Sequence, residues 1–211
     1  MSSESTLGPK PVLGFLMVHM ALRADVAALV DEVETATRPH LERRAALLER
    51  VVYAHHVGED RVLFPALAAR VGGFDPVSSV LAEQHEALDA SLAALRTAAE
   101  TAQGSRARVR AAARDAQATL TDHLTTEERE VLPMWLSSFS DADHEVFSRR
   151  LRRATPVRDV SVMVPWLLDR APEPVKAEAW REVPLPVRAA YKLWWRRAFG
   201  RRYGGGTALA A

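Results

Sequence analysis

Cysteine is absent from the 211 residues. Its absence excludes disulfides, thiolate zinc sites, cysteine nucleophiles and cysteine-ligated iron–sulfur clusters. Lysine is scarce, three residues against 25 arginines, a bias that reflects a GC-rich coding sequence more than a function. Long apolar runs are also missing. Val12 to Met20, among the longest, is broken by Gly14 and His19 and is too short to span a bilayer. Glu4 stands early, and no basic-then-apolar leader pattern precedes the first apolar stretch, so a cytoplasmic location is expected. No alternating strand pattern with hairpin turns is present, and no clear nucleic-acid-binding motif.

What is present suits one globular domain of ordinary size, with or without an extension: 48% of residues are hydrophobic and 26% charged. The formal net charge of +1 hides an asymmetry. Residues 1–147 carry 14 Lys/Arg against 22 Asp/Glu, a net −8, and residues 148–211 carry 14 against 5, a net +9. An acidic body and a basic tail need separate readings.

Four long stretches have helical periodicity, separated by turn signals. The first, from Val12 to Ala36, aligns Val12, Phe15, His19, Leu22, Val26, Leu29 and Val33. The second, from Pro39 to Val71, aligns Leu41, Ala45, Leu48, Val52, His55, Glu59, Val62 and Ala66, with Pro65 as a kink or break and Gly72-Gly73 as its end. Asp75-Pro76 opens a third with Leu81, His85, Leu88, Leu92 and Leu95 in register, ending near Gly104. The fourth carries Val109, Ala113, Ala116, Leu120, His123, Glu127, Val131 and Met134. Four amphipathic helices with short links predict an all-α, up-down four-helix bundle over residues 12–136. Residues 141–211 form a basic, Trp-rich C-terminal extension, helical and irregular. A short charged helix is expected from Asp141 to Arg153, extended or turned chain over the five prolines of residues 162–186, and a short basic-aromatic helix from Ala189 to Arg202.

The chemistry lies inside the apolar stripes. Each long helix places one histidine on its core face: His19, His55, His85 and His123. Three of these have a carboxylate four residues on, Glu59, Asp89 and Glu127, so each pair shares a helix face. Four of the seven histidines have Asp or Glu at +4, counting His56 with Asp60; random placement gives that about 1% of the time. A lone histidine in an apolar stripe is most often a core residue satisfied by a protein partner. Four converging on one core with three carboxylates need a stronger compensation, and a metal centre supplies it.

Nitrogen and oxygen ligands without sulfur suit iron, manganese or zinc. Seven candidate ligands are too many for one ion and about right for two. The ferritin-like di-iron site requires Glu-x-x-His on two helices. No histidine here has Glu three residues before it, so that family is excluded.

The chain resembles the hemerythrin family in its broad HHE cation-binding branch. The resemblance lies in His19 within HMALR, His55-His56-x-x-Glu59-Asp60 before Leu63-Phe64-Pro65, Gln84-His85 with Asp89, and His123-x-x-x-Glu127-Glu128 before Leu132-Pro133. It implies two non-haem irons bridged by Glu59 and Glu127, with His19, His55, His85 and His123 as terminal ligands. One position would stay open for dioxygen, peroxide or nitric oxide. Manganese and zinc are the lesser alternatives.

Two departures from the oxygen-carrying hemerythrins matter. Those proteins have a histidine where Asp89 stands, and their last carboxylate lies five residues after its histidine. With Asp89 as a ligand, three carboxylates would leave two ferrous ions at +1, favouring the ferric state and oxidative turnover or sensing over reversible carriage. On a regular helix the +5 residue Glu128 points about 140° away from His123, so Glu127 is preferred; a π-bulge would bring in Glu128 instead. His56, Asp60, Arg23 and Glu128 are expected to orient the ligands through hydrogen bonds.

Three functions follow as expectations. The first is a di-iron protein that binds or reduces dioxygen, peroxide or nitric oxide in sensing or in oxidative or nitrosative protection. The second is a di-iron enzyme, catalase-like or substrate-oxidising. The third is a metal-poor helical interaction module. In the tail, arginines interleave with Trp194, Trp195 and Phe199. Its aromatics either pack on the bundle, with the arginines meeting its acidic surface, or give residues 189–202 contact with an anionic surface.

Overall fold

A computed structural model describes residues 12–101 and 105–204. Helices α1 (Leu13–Glu32), α2 (Arg38–Gly58), α4 (Phe74–Glu100) and α5 (Arg106–Thr126) are the long ones, and among the described residues there is no strand. Helix α1 packs on α2 and α5, and α4 packs on α2 and α5, a closed ring of neighbours joined by short links. The chain is an all-α bundle, as the periodicity predicts.

Local chemistry sets the ends of these helices. Gly73 adopts the left-handed conformation at φ 97° just before α4, a backbone state that costs glycine little. Ser105 caps α5 by accepting from Arg108 N–H. At the far end of the bundle, two arginines satisfy carbonyls that the helix ends leave free. Arg106 donates to Val33 and Ala36 beyond α1, and Arg38 to Ala99 and Thr101 at the end of α4.

The segment after α2 is a wide π turn, π1 (Glu59–Leu63), leading into α3 (Phe64–Ala68). The segment after α5 is a second, π2 (Glu127–Val131), leading into α6 (Leu132–Ser138). One eleven-residue pattern underlies both, at 55–65 and 123–133: His, three residues, Glu, an acid, Arg, one residue, two apolar residues, Pro. Proline lacks an N–H and its ring crowds the carbonyl four residues back. The widened turn, with Phe64 N–H bonded to Glu59 O and Leu132 N–H to Glu127 O, makes room for the ring. The kink anticipated at Pro65 is therefore a π turn starting at the glutamate, and the same happens before Pro133.

The apolar core is in two parts. The larger runs down the bundle through Leu22, Val26, Leu48, Val52, Leu88 and Leu120. The smaller gathers Val12, Leu63, Phe64, Phe74, Leu81, Val131 and Trp135 at one end. His55 falls in sequence between Val52 of the larger part and Leu63 of the smaller, and His85 between Leu81 of the smaller and Leu88 of the larger, so the polar layer lies where the two parts meet. Although α1 is long and apolar enough by composition to cross a membrane, its Leu22, Val26 and Leu29 lie in this core.

The C-terminal extension is more regular than its prolines suggest. It forms α7 (Asp141–Ala154), α8 (Val157–Arg170), α9 (Glu173–Glu182), α10 (Leu185–Ala190), a third π turn π3 (Tyr191–Trp195) and α11 (Arg196–Tyr203). Residues 162–186 are thus mostly helical, not extended. Pro172, Pro174, Pro184 and Pro186 sit at helix starts, where a missing N–H costs nothing; Pro165 alone lies inside a helix. The reading of Gly204-Gly205-Gly206 as a flexible end falls largely outside the described residues, as does Gly104.

The extension joins the bundle core through Trp166, Ala171, Val175, Ala179, Phe199 and Tyr203. Trp166 donates its indole N–H to Asp25 at 2.8 Å, and Asp25 accepts from Arg44 at 2.6 Å. Both charged residues are 1% exposed, and Arg170 of α8 lies 3.4 Å from Asp25. A buried carboxylate with two arginines and an indole around it pins α8 to α1 and α2. His144 is buried and accepts the Trp135 indole N–H at 3.0 Å.

Candidate metal centre

Seven side chains from the four long helices and the two π turns converge in the polar layer: His19, His55, His56, Glu59, His85, His123 and Glu127. All are buried. They form two groups that share Glu59, one of His56, Glu59, His85 and His123, the other of His19, His55, Glu59 and Glu127, with ligand atoms within 4.8 Å of one another in each. His55 Nε2 is 3.0 Å from Glu59 Oε1 and 3.1 Å from His19 Nε2. Glu127 Oε2 lies 3.3 Å from His19 Nε2, 3.5 Å from His123 Nε2 and 4.0 Å from His55 Nε2. Glu59 Oε2 is 3.8 Å from His85 Nε2.

Six of the seven candidate ligands named from sequence are brought together, and one is not. Asp89 is exposed on α4 and stands outside both groups. His56, expected only to support the ligands, takes a place among them. Helix α2 has α1 on one side and α4 on the other, so its adjacent histidines divide between those neighbours. His55 meets His19 of α1, while His56 stacks on His85 of α4 with ring centroids 3.8 Å apart. The signal for His56 was its i, i+3 spacing to Glu59, which puts two residues on one face as surely as i, i+4.

The donor set is therefore five imidazoles and two carboxylates. Two ferrous ions in it would keep a net +2, which removes the basis for expecting a less positive, ferric-favouring site.

The residues after the two glutamates act from outside. Glu128 Oε1 lies 2.9 Å from His19 Nδ1, and Arg23 grips the same carboxylate through both oxygens, at 2.6 and 3.1 Å. Asp60 Oδ1 lies 3.5 Å from His85 Nδ1. Each acid thus faces a histidine of a neighbouring helix on the ring nitrogen turned away from the centre. Glu127, not Glu128, belongs to the group of ligand atoms, even though a π turn does begin there.

The electrostatics match a site made for cations. Burial holds His55 down at about 4 and His123 at about 2, and lowers His56 further. All three imidazoles are neutral and able to donate a lone pair near neutral pH. Burial, and then Glu59, push Glu127 up to about 8; burial and Asp60 likewise raise Glu59 well above the carboxylate range. Burial alone would raise Glu128 too, but hydrogen bonds from His19 and Arg23 hold it at about 2. Both oxygens of Glu59 and Glu127, and Nε2 of His56, His85 and His123, have no hydrogen-bond partner. So many orphaned acceptors in a dry layer would be costly unless a cation satisfied them.

A helical bundle with this centre is the architecture of a cation-binding domain. The hemerythrin HHE cation binding domain model matches residues 14–135, more than half the chain, and the chain belongs to that family. The zinc finger protein BRUTUS of Arabidopsis thaliana is 29% identical over 168 residues, covering 74% of this chain and 13% of that protein. A BRUTUS-like zinc finger protein of the same plant is 27% identical over 175 residues, 78% of this chain and 14% of that one. The chain spans about one-seventh of the length of the curated relatives it matches. No solved structure matches it.

Proposed function

We propose that the chain is a non-haem di-iron protein that binds or reduces dioxygen, peroxide or nitric oxide in sensing or protection. The observation that carries this reading is the unpartnered set of imidazole nitrogens and glutamate oxygens in two groups joined at Glu59. One group would hold one ion through His56, Glu59, His85 and His123. The other would hold its neighbour through His19, His55, Glu59 and Glu127. Nitrogen-rich ligation with two carboxylates suits iron, which supplies reversible one-electron chemistry and affinity for small diatomic ligands and peroxide.

The chain's own residues prepare the site. With its proton on Nδ1, His19 donates to Glu128 and keeps its Nε2 lone pair toward the centre. Arg23 fixes Glu128, so the ring cannot rotate freely. Phe15, whose ring centroid is 4.0 Å from that of His19 and 5.6 Å from that of Trp135, helps to keep water out from the apolar end.

Elemental analysis of protein from iron-replete cells, with an optical spectrum in air, tests the proposal. About two irons per chain are expected, with a near-ultraviolet charge-transfer band from the air-oxidised, ferric centre. In His123→Ala the iron should fall to about one per chain and the band should be lost. Nitric oxide binding and peroxide consumption, measured on the same samples, then separate a sensor from an enzyme. Less than half an equivalent of any metal, with helicity intact, would overturn it.

A further inference from the structure

We infer that the outer face of α10, π3 and α11 is a docking surface for an anionic lipid bilayer. From Val183 onward the sequence holds six cations, Arg188, Lys192, Arg196, Arg197, Arg201 and Arg202, and no Asp or Glu. Phe199 and Tyr203 are buried against the bundle and fix which side of α11 faces inward. Arg197 and Arg201 stand two residues to either side of Phe199, about 160° around the helix from it. Both are exposed, with no hydrogen-bond or ion-pair partner among the described residues.

The same three segments also leave large apolar groups exposed. Leu185 is 76% exposed, Trp194 64% and Leu193 59%. A soluble surface seldom leaves such groups together without a partner.

The combination is selective. Phosphate groups alone would be met by the arginines without Leu185, Leu193 and Trp194. An apolar protein groove would be met by those three without the cations. The boundary of an anionic bilayer accepts both: indole and leucine enter the interface while arginines stay with the headgroups. Trp180 is already engaged inside the extension, beneath Arg188 and Lys192 and against Tyr191. Trp194 is left as the anchor.

The test is sedimentation of the full-length, metal-loaded protein with vesicles of phosphatidylcholine, alone or with about a quarter phosphatidylglycerol. Binding to the anionic vesicles only is expected, with a blue shift of tryptophan emission that Trp194→Ala abolishes. The doubly reversed variant Arg197→Glu/Arg201→Glu should bind at least about tenfold more weakly. Because both arginines point to solvent, this variant should keep the metal content and melting temperature of the parent. Three results would overturn the inference: no difference between vesicle types, undiminished binding by the reversed variant, or displacement from vesicles by a short nucleic-acid duplex that binds more tightly.

Discussion

Nδ1 of His19 and Oε1 of Glu128 are 2.9 Å apart, although 109 residues separate them and Glu128 directly follows a glutamate that faces the other ring nitrogen of the same histidine. Consecutive acids thus address both edges of one imidazole. Arg23 completes the arrangement from the surface.

Removing that support should weaken metal binding without unfolding the bundle. Glu128→Gln keeps the shape but weakens the acceptor for His19, and Arg23→Ala frees the carboxylate. Each should lower metal affinity by about 10–100-fold, read by competition with a chromophoric chelator. Helicity by circular dichroism should be unchanged. An affinity within twofold of the parent in both variants would show that His19 needs no partner on Nδ1.

The competing claims of His56 and Asp89 separate cleanly. His56→Ala should lose metal from the group that includes His85 and His123, so that stoichiometry falls by about one ion per chain. Asp89→Ala, altering an exposed side chain, should leave stoichiometry intact. The reverse pattern would restore Asp89 as a ligand.

The bundle and most of its centre were legible in the sequence because both follow from helical periodicity. A histidine in register with leucines has to enter the core. His56 and Asp89 depart from the sequence reading for a common reason: a single-helix wheel gives the face of a residue but not how far around the helix its neighbours reach. On α2 the covered arc takes in both His55 and His56. On α4 it takes in His85, and Asp89 stays exposed. The prolines of the extension misled differently. They were counted as breakers, whereas four of the five begin helices.

The anchor of the extension should be structural and independent of the metal. Asp25→Ala takes the buried partner from Arg44 and Arg170, which keep only the more exposed Glu32 and Asp169, and breaking a buried ion pair costs about 3–5 kcal/mol. Trp166→Phe removes one donor from a carboxylate that keeps its arginines, and should cost about 1–3 kcal/mol. Denaturant unfolding of the metal-free protein measures both, and metal stoichiometry at saturation should match the parent. An Asp25→Ala variant as stable as the parent would show that the cluster contributes nothing net.

The pH dependence of the metal-free protein should differ from that of the loaded one, with a sign the buried groups dictate. Glu127 has its folded value raised to about 8, so its contribution favours the fold at acid pH and is lost as pH rises from the ordinary carboxylate range through 8. His55 has its folded value lowered to about 4. Its contribution is complete above the ordinary imidazole range and is lost as pH falls toward 4. The metal-free bundle is therefore destabilised from both sides. A bound cation takes the place of the proton on Glu127 and uses the imidazoles in their neutral form. Loading at pH 7 should release protons, seen as a buffer-dependent heat in calorimetry, and the release should shrink by pH 9, where Glu127 is already ionised. The melting temperature of the metal-free protein should decline between pH 6 and 9 while that of the loaded protein stays level. Parallel melting curves in the two states, with no proton release at pH 7, would mean that Glu127 is ionised before metal arrives.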